Sequence, residues 1–375
     1  MLIGIDASRS VSTIQKTGVE KVSDELIKEI EKLRNKEIKG NEIKIIFYTP
    51  KQISWLPQEN QKILPWPFKF LWTQIRLAYE LIFHSPNIMF FPVHSLPLVL
   101  LLFLPFTNYR LLVTSYYHII HDIAFKKHPE FYSWSQRLIL NLDLWLSLKL
   151  CTKIFVPTEA VKNDILSFCH SRESWNPVDK IIVTPWGYNK KNYKLQITDY
   201  ELRKKQFLYI GRIEEKKNIT NLIKAFKIFH ATNPEYKLIL AGKIDEEFKK
   251  NHNSLFTIHN SIQFLGYIPE EKKQELLSES IALIHVPFEE GFCFPMLEAF
   301  DFSLPVVASD IPVLREVGGD ACLYVNPNSP EDIANAMNAF TETQNLASLQ
   351  EKGRARLAIF SWEKTTEKIL NKIIK

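Results

Sequence analysis

Two doubly wound α/β domains are the fold class that this 375-residue chain predicts. Three observations carry it. Short β-rich runs alternate with helical stretches, the pattern of a parallel sheet covered by helices. That alternation runs through the first half, stops at a polar stretch, and starts again. The length also exceeds one ordinary core and favours two domains of roughly 150–200 residues each.

The first set of strands is read as "LIGID" (Leu2–Asp6), "IKIIFY" (Ile43–Tyr48), "NIMFF" (Asn87–Phe91), "LLVTSY" (Leu111–Tyr116), "KIFVP" (Lys153–Pro157) and "KIIVT" (Lys180–Thr184). Helical patterns lie between most of them, among them Gly18–Leu33 and Pro129–Leu150. The second set is "QFLYIG" (Gln206–Gly211), "KLILAG" (Lys237–Gly242), "SIQFLG" (Ser261–Gly266), "IALIHV" (Ile281–Val286), "PVVAS" (Pro305–Ser309) and "CLYV" (Cys322–Val325). The polar, weakly periodic Tyr188–Lys205 serves as linker, and "FSWEKTTEKILNKIIK" (Phe360–Lys375) reads as an amphipathic terminal helix anchored by Trp362, Ile369 and Ile373. The expected organisation is therefore 1–187, 188–359 and a terminal helix over 360–375. Cys169–Pro177, without periodicity, reads as a surface insertion. In such sheets ligands sit at the carboxyl ends of the strands, here in a cleft between the domains.

Composition narrows the function. Hydrophobic content of 46% and charged content of 24% are globular values. A net charge of +5 is too modest for a dedicated nucleic-acid binder and suits anionic substrates or an anionic membrane surface. Cys151, Cys169, Cys293 and Cys322 lie far apart with no metal-ligand spacing, so neither a zinc site nor a disulfide framework is expected, and the compartment is reducing. The opening "MLIGIDASRS" reads as a strand rather than a signal peptide. "LPLVLLLFLPF" (Leu96–Phe106) is short of the roughly 20 residues of a spanning helix and contains two prolines. It is either buried core or a surface that dips into a bilayer interface.

Two stretches carry chemistry. In "LYIGRIEEKKNITNLIKAF" (Leu208–Phe226) a strand ends at Gly211, and Arg212 and Lys217 flank the turn before the next helix. A guanidinium fork and a nearby ammonium suit phosphate oxygens, although "EEKK" also fits a solvated turn with local ion pairs, the better reading for Lys216. In "PFEEGFCFPMLEAFDFSLPVVASD" (Pro287–Asp310), Pro295 fits a first helical position. The N–H groups of the preceding loop are then available to an oxyanion or to hydroxyls, and Gly291 permits close approach. Glu298 stands among Met296, Leu297, Ala299 and Phe300. Buried without a partner it would cost several kcal/mol or take a proton. Partly exposed, it would gain about 0.3–1 kcal/mol from the helix dipole. The residues alone leave both readings open.

In their order along the chain, "TGVEKV", "HDIAFKKHPEFY", "FVPTEAVKNDIL", "IIVTPWGYN", "GRIEEKKN", "LILAG", "IQFLGYIPEEKKQELL" and "EGFCFPMLEAF…PVVASDIPVLREVGGDACLYVNP" resemble the family 4 retaining glycosyltransferases, mannosyltransferase-like members of the glycosyl transferases group 1. The resemblance covers nearly the whole chain, and the glutamate pair Glu290 and Glu298 is its characteristic motif. It implies the GT-B fold: two Rossmann-like doubly wound domains facing a cleft, the first on the acceptor side, the second binding the nucleotide sugar, and a C-terminal helix crossing back to the first. It implies that Arg212 and Lys217 hold the donor diphosphate, and that Glu290 contacts the donor sugar. It further implies that Gly291, Phe292 and Cys293 offer backbone amides, and that Glu298 accepts hydrogen bonds from the ribose. Gly18 would let the first-domain backbone approach the diphosphate, and His121 matches the active-site histidine, with Asp122 supporting its loop.

The reaction so implied moves a hexose, mannose first, from a GDP- or UDP-sugar to a glycan or lipid-linked glycan in cell-surface polysaccharide synthesis. The anomeric configuration is retained, and the leaving phosphate helps to take the acceptor proton. No metal and no cofactor besides the nucleotide-sugar substrate is expected, and the sequence contains no Asp-x-Asp. The place is cytoplasmic, with peripheral contact on the inner membrane face through "PWPFKFLWTQIR" (Pro65–Arg76), "HPEFYSWSQR" (His128–Arg137) and Leu96–Phe106. Departures from the family pattern are Cys293, where glycine is usual, "DFSLP" (Asp301–Pro305) and "VPF" (Val286–Phe288). The alternatives are a nucleotide-sugar epimerase on the same fold, a nicotinamide oxidoreductase, which lacks its G-x-G-x-x-G, and a non-catalytic carbohydrate-binding module. A nucleophilic Cys293 lacks a matching base.

Overall fold

The computed structural model of the chain describes residues 1–11, 18–37, 43–68, 71–93, 95–99, 115–169, 177–190, 203–256, 260–341 and 346–374. The chain divides into two compact units, one of Met1–Gly187 with Ser361–Lys375, the other of Tyr188–Phe360.

In the first unit seven parallel strands form one sheet: β1 (Leu2–Asp6), β2 (Lys44–Thr49), β3 (Gln61–Ile63), β4 (Ile88–Phe91), β5 (Ser115–Ile119), β6 (Cys151–Val156) and β7 (Ile181–Val183). Their spatial order is β3-β2-β1-β4-β5-β6-β7, so the direction of winding reverses between β1 and β4. The helices described in this stretch are α1 (Gly18–Glu37), α2 (Ala78–Phe83), α3 (Ala124–Lys127), α4 (Trp134–Leu150) and α5 (Glu159–Cys169).

The second unit repeats the plan with β8 (Gln206–Ile210), β9 (Lys237–Ala241), β10 (Ile262–Gly266), β11 (Ala282–His285), β12 (Val306–Ser309) and β13 (Cys322–Val325), all parallel, in the order β10-β9-β8-β11-β12-β13. Between and after the strands run α6 (Ile219–His230), α7 (Glu246–Asn251), α8 (Glu270–Glu279), α9 (Phe294–Asp301), α10 (Pro312–Gly318), α11 (Pro330–Asn338) and α12 (Leu346–Leu357). Strands β8, β11 and β12 are buried along their whole length, as a sheet covered on both faces requires. Phe207 and Tyr209 of β8 pack with Phe226 and Phe229 of α6 in the core. The reversal here falls between β8 and β11.

The last helix, α13 (Trp362–Ile374), belongs to the first unit, with Trp362, Ile369 and Ile373 buried. Trp362 packs so tightly on Gly187 that a Cβ there would lie 2.1 Å from its backbone nitrogen. Thr365 Oγ1 donates to Pro185 O at 2.6 Å.

Several local expectations need correction, and one strand was not expected. The Pro129–Leu150 helix is broken: Pro129–Phe131 is a 3-10 turn, and α4 starts anew after Ser133, whose side chain forms a capping box with Gln136. Pro295 is the second residue of α9 rather than the first, because Phe294 is already helical. The three-residue edge strand β3, made of Gln, Lys and Ile, has too little alternation to be read from sequence. The strand expected at Leu111–Tyr116 is described from Ser115, where β5 begins, and runs to Ile119. The expected strand residues Leu111–Thr114, most of the Leu96–Phe106 run, most of Cys169–Pro177, and residues 191–202 of the linker lie outside the described residues.

Candidate active site

The second sheet reverses between β8 and β11, and open α/β sheets bind ligands beyond the carboxyl ends of the strands at such a point. Arg212 and Lys217 follow β8, and Glu290 follows β11. A 3-10 turn over Glu215–Lys217 carries Lys217 back toward β11, and Lys217 Nζ donates to Glu290 Oε1 across 73 residues of sequence. Both side chains are 13% exposed, so this ion pair is largely sheltered from water.

Local bonds hold the two loops together. Asn218, in a left-handed conformation at φ 60°, donates from Nδ2 to Val286 O at 2.9 Å and to Pro327 O at 2.7 Å. Phe288 N donates to Lys216 O at 3.0 Å, and Ser309 Oγ to Pro287 O at 2.6 Å. At the end of β9, a Cβ on Gly242 would stand 1.7 Å from Gly211 O, so only glycine lets the two strand ends approach this closely.

Glu290 has a second partner that sequence reading missed. His285, the last residue of β11 and 1% exposed, places Nε2 2.9 Å from Glu290 Oε1. The carboxylate only accepts, so Nε2 donates. The imidazole stacks on Tyr209 at 5.9 Å with an interplanar angle of 6°, and Tyr209 OH donates to Arg212 O at 2.6 Å. Burial raises the Glu290 carboxyl, but Lys217 and His285 outweigh it and hold the group well below the usual carboxylate range. Both donors use Oε1, which leaves Oε2 aimed at neither. The signal was available: a histidine closing the apolar run "IALIHV" is as anomalous as an acid inside "FPMLEAF".

Arg212 is half exposed, with Nε 3.1 Å from Glu214 and Nη2 3.3 Å from Asp245. Exposed pairs of this kind contribute little and exchange readily for a better anion. Lys216 makes a loose contact with Glu214 at 3.9 Å.

After Glu290 the chain enters α9 through Gly291, Phe292 and Cys293, all buried. Among the described residues no acceptor takes the amide hydrogens of these three. Cys293 sits at φ 86°, ψ 73°, a left-handed conformation that an L side chain adopts at a cost of about 1–2 kcal/mol. Burial and the negative charge of Glu290 push its thiol well above the ordinary range, which removes it as a nucleophile. Ser303, in "DFSLP", takes φ 51° and is held by Arg354 Nη1 at 3.1 Å from its hydroxyl. Glu298 is 8% exposed and is paired: Lys273 Nζ of α8 lies 2.9 Å from its Oε1. The sequence offered no partner for it.

Gly18 and His121 belong to the first unit. Gly18 opens α1, and His121 follows β5, 7% exposed, with its ring 5.6 Å from that of Trp186. Asp122 Oδ1 accepts from Ala124 N at 3.0 Å and so supports the turn. Among the described residues no three His, Cys, Asp or Glu side chains are grouped to hold a metal ion.

A strand-end arginine and lysine, a sheltered glutamate and free amides at a helix entrance form an anion and hydroxyl site on a doubly wound sheet. Residues 190–356 match the family model of the glycosyl transferases group 1. The chain is a glycosyltransferase. It is 27% identical over 263 residues to O-antigen chain mannosyltransferase B of Escherichia coli, covering 67% of this chain and 68% of that protein. It is 28% identical over 256 residues to O-antigen chain mannosyltransferase RfbU of Salmonella typhimurium, covering 65% and 69%. Among solved structures, Anabaena Alr3699/HepE in complex with UDP and glucose superposes with a TM-score of 0.71 at 18% identity, over 100% of this chain and 99% of that one. WaaG, a glycosyltransferase involved in lipopolysaccharide biosynthesis, gives 0.67 at 14% identity, over 100% and 99%. The glycosyltransferase thus has the GT-B fold, and the epimerase alternative draws no support from these relatives.

Proposed function

We propose that this glycosyltransferase moves a hexose, with mannose the first candidate, from a nucleoside diphosphate sugar to a hydroxyl of a glycan or lipid-linked glycan, with retention at the anomeric carbon. The observation that carries the reading is the meeting of Lys217 and Glu290 beside Arg212 at the β8–β11 reversal. Breaking the anomeric C–O bond leaves charge on the diphosphate. Arg212, Lys217 and the amides of Gly291, Phe292 and Cys293 are the donors that would stabilise it, and in a sheltered site fixed donors act strongly. The same donors supply the charge neutralisation that a divalent ion would otherwise bring, so the reaction is proposed to need neither metal nor cofactor. The new C–O bond forms to the acceptor oxygen, whose proton passes to the leaving phosphate oxygen on the same face.

Glu290, ionised and fixed at Oε1, would accept hydrogen bonds from the donor sugar at Oε2. Glu298 would accept from the ribose. His121 and Gly18 are assigned to the sugar and the diphosphate on the strength of the family resemblance. The mannosyltransferase relatives favour a GDP-sugar, and the UDP-bound neighbour keeps UDP-sugars in the comparison.

No described helix is long and apolar enough to cross a membrane. Peripheral contact at the cytoplasmic face is proposed through the first unit, where Trp134 is 75% and Phe83 62% exposed. Flotation with anionic vesicles at low salt tests it, and absence of binding rejects it.

Turnover of GDP-mannose, GDP-glucose, UDP-glucose and UDP-GlcNAc, followed by nucleotide release with and without EDTA, tests the main reading. Arg212→Ala and Glu290→Ala should each lose at least about a hundredfold in rate. Full activity in Arg212→Ala would sink the diphosphate assignment.

A further inference from the structure

Lys273 belongs to the run "EEKKQELL", whose charges read as a solvated helix face. Its neighbour Lys272 behaves so, 42% exposed and paired with Glu275 on the same helix. Lys273 does not. Its side chain is 16% exposed, and Nζ lies 2.9 Å from Glu298 Oε1 on α9 and 2.8 Å from Glu270 Oε2 on its own helix. The contact with Glu298 ties α8 to α9.

Packing alone does not explain a lysine here, because an apolar side chain of the same length would fill the space without desolvating a charge. The ammonium acts on Glu298. Glu298 is 8% exposed, and the ammonium 2.9 Å from its Oε1 holds that oxygen in place within the buried site. Burial lowers the Lys273 ammonium, but Glu298 and Glu270 outweigh it, so the lysine keeps its charge. The second carboxylate matters: Glu270, one turn earlier on α8, also holds the ammonium and steadies it.

We propose that Lys273 is a positioning residue for nucleotide recognition, holding the Glu298 carboxylate as an oriented acceptor for the two neighbouring hydroxyls of the donor's ribose. This rests on the ribose reading of Glu298 given above. It adds a consequence for specificity: the enzyme's preference for ribose over deoxyribose depends on a side chain of α8 that touches no substrate.

Calorimetric Kd values for GDP and UDP, and for their 2′,3′-dideoxy counterparts, test both layers. In the unaltered protein the better-bound ribonucleotide should exceed its dideoxy form by at least about tenfold, the value of hydrogen bonds to a charged group. Glu298→Ala should bring the ratio close to one. Lys273→Met should lower it at least about threefold while affinity for the dideoxy nucleotide stays unchanged, and Lys273→Arg should restore most of it. A purely structural lysine would instead weaken both nucleotides equally. Should the methionine variant fail to fold, Lys273→Gln carries the same comparison. A ratio unchanged in Glu298→Ala overturns the ribose reading. A ratio that collapses in Glu298→Ala but persists in Lys273→Met overturns the role of Lys273 alone.

Discussion

Lys217 and Glu290 form a sheltered ion pair although 73 residues separate them. Neither is explained by its own neighbourhood. Lys217 ends a charged turn that looks solvated, and Glu290 begins a loop that is otherwise buried. Their meeting is a property of the parallel sheet, in which β8 and β11 lie side by side and deliver both loops to one edge.

The first prediction concerns acid stability. Glu290 in the folded protein is held below the ordinary carboxylate range, near 4.3 in an unfolded chain. The stability it contributes is therefore complete above roughly pH 5 and is lost as pH falls further below that range. Glu290→Gln removes the titration. The Tm difference between the unaltered protein and this variant should shrink from pH 7 to pH 3, and a difference independent of pH would contradict the assignment.

His285 supplies the second. Replacing it by leucine removes the donor to Glu290 Oε1 and should lower kcat/KM for the nucleotide sugar by about tenfold or more, since a hydrogen bond to a charged group contributes about 1.5–3 kcal/mol. His285→Gln, which keeps a donor, should lose less. Initial-rate measurements on the two variants decide it, and equal losses would mean that the imidazole matters for packing alone.

Cys293 gives an inverted size series. In an ordinary buried site glycine is worse than alanine. At φ 86° alanine retains the backbone strain and loses the sulfur packing, whereas glycine loses the packing but relieves the strain. Cys293→Gly should therefore be more stable than Cys293→Ala by about 1 kcal/mol. Urea denaturation of both measures the order, and the usual order would show that the loop relaxes.

A fourth prediction lies in the first unit. Asp143 of α4 accepts from Leu96 N at 2.7 Å, yet burial pushes its carboxyl up to about 7. It holds its proton in the folded state to a higher pH than in the unfolded chain. Its contribution is present below the ordinary carboxylate range and is lost as pH rises toward 7. Asp143→Asn keeps an acceptor and does not titrate. Its stability advantage, followed by Tm, should be smallest near pH 4, grow toward pH 7 and level off above it, and an advantage independent of pH would contradict the assignment.

Much of the fold was legible because its signals are local. Alternation of apolar runs with helical stretches located eleven of the strands at or within a few residues of their observed ends, and Trp362, Ile369 and Ile373 marked the buried face of α13. Ser133 and Gln136 form a capping box whose residues are legible in the sequence, and it is what interrupts the single helix expected over Pro129–Leu150. Strand β3 was not legible, since an edge strand of three residues needs no apolar pattern.

The sequence by itself determined which residues stand at the strand ends: Arg212, Lys217, Glu290 and the Gly291–Cys293 entrance follow from where strands stop and helices begin, and those boundaries depend on near neighbours in the chain. Only the tertiary structure decided the partners. That Lys217 and His285 share one oxygen of Glu290, that Lys273 clamps Glu298, and that Cys293 occupies a left-handed conformation depend on which strands and helices become adjacent in space. Periodicity carries no record of that adjacency: Lys217 stands 73 residues from Glu290 and Lys273 stands 25 from Glu298.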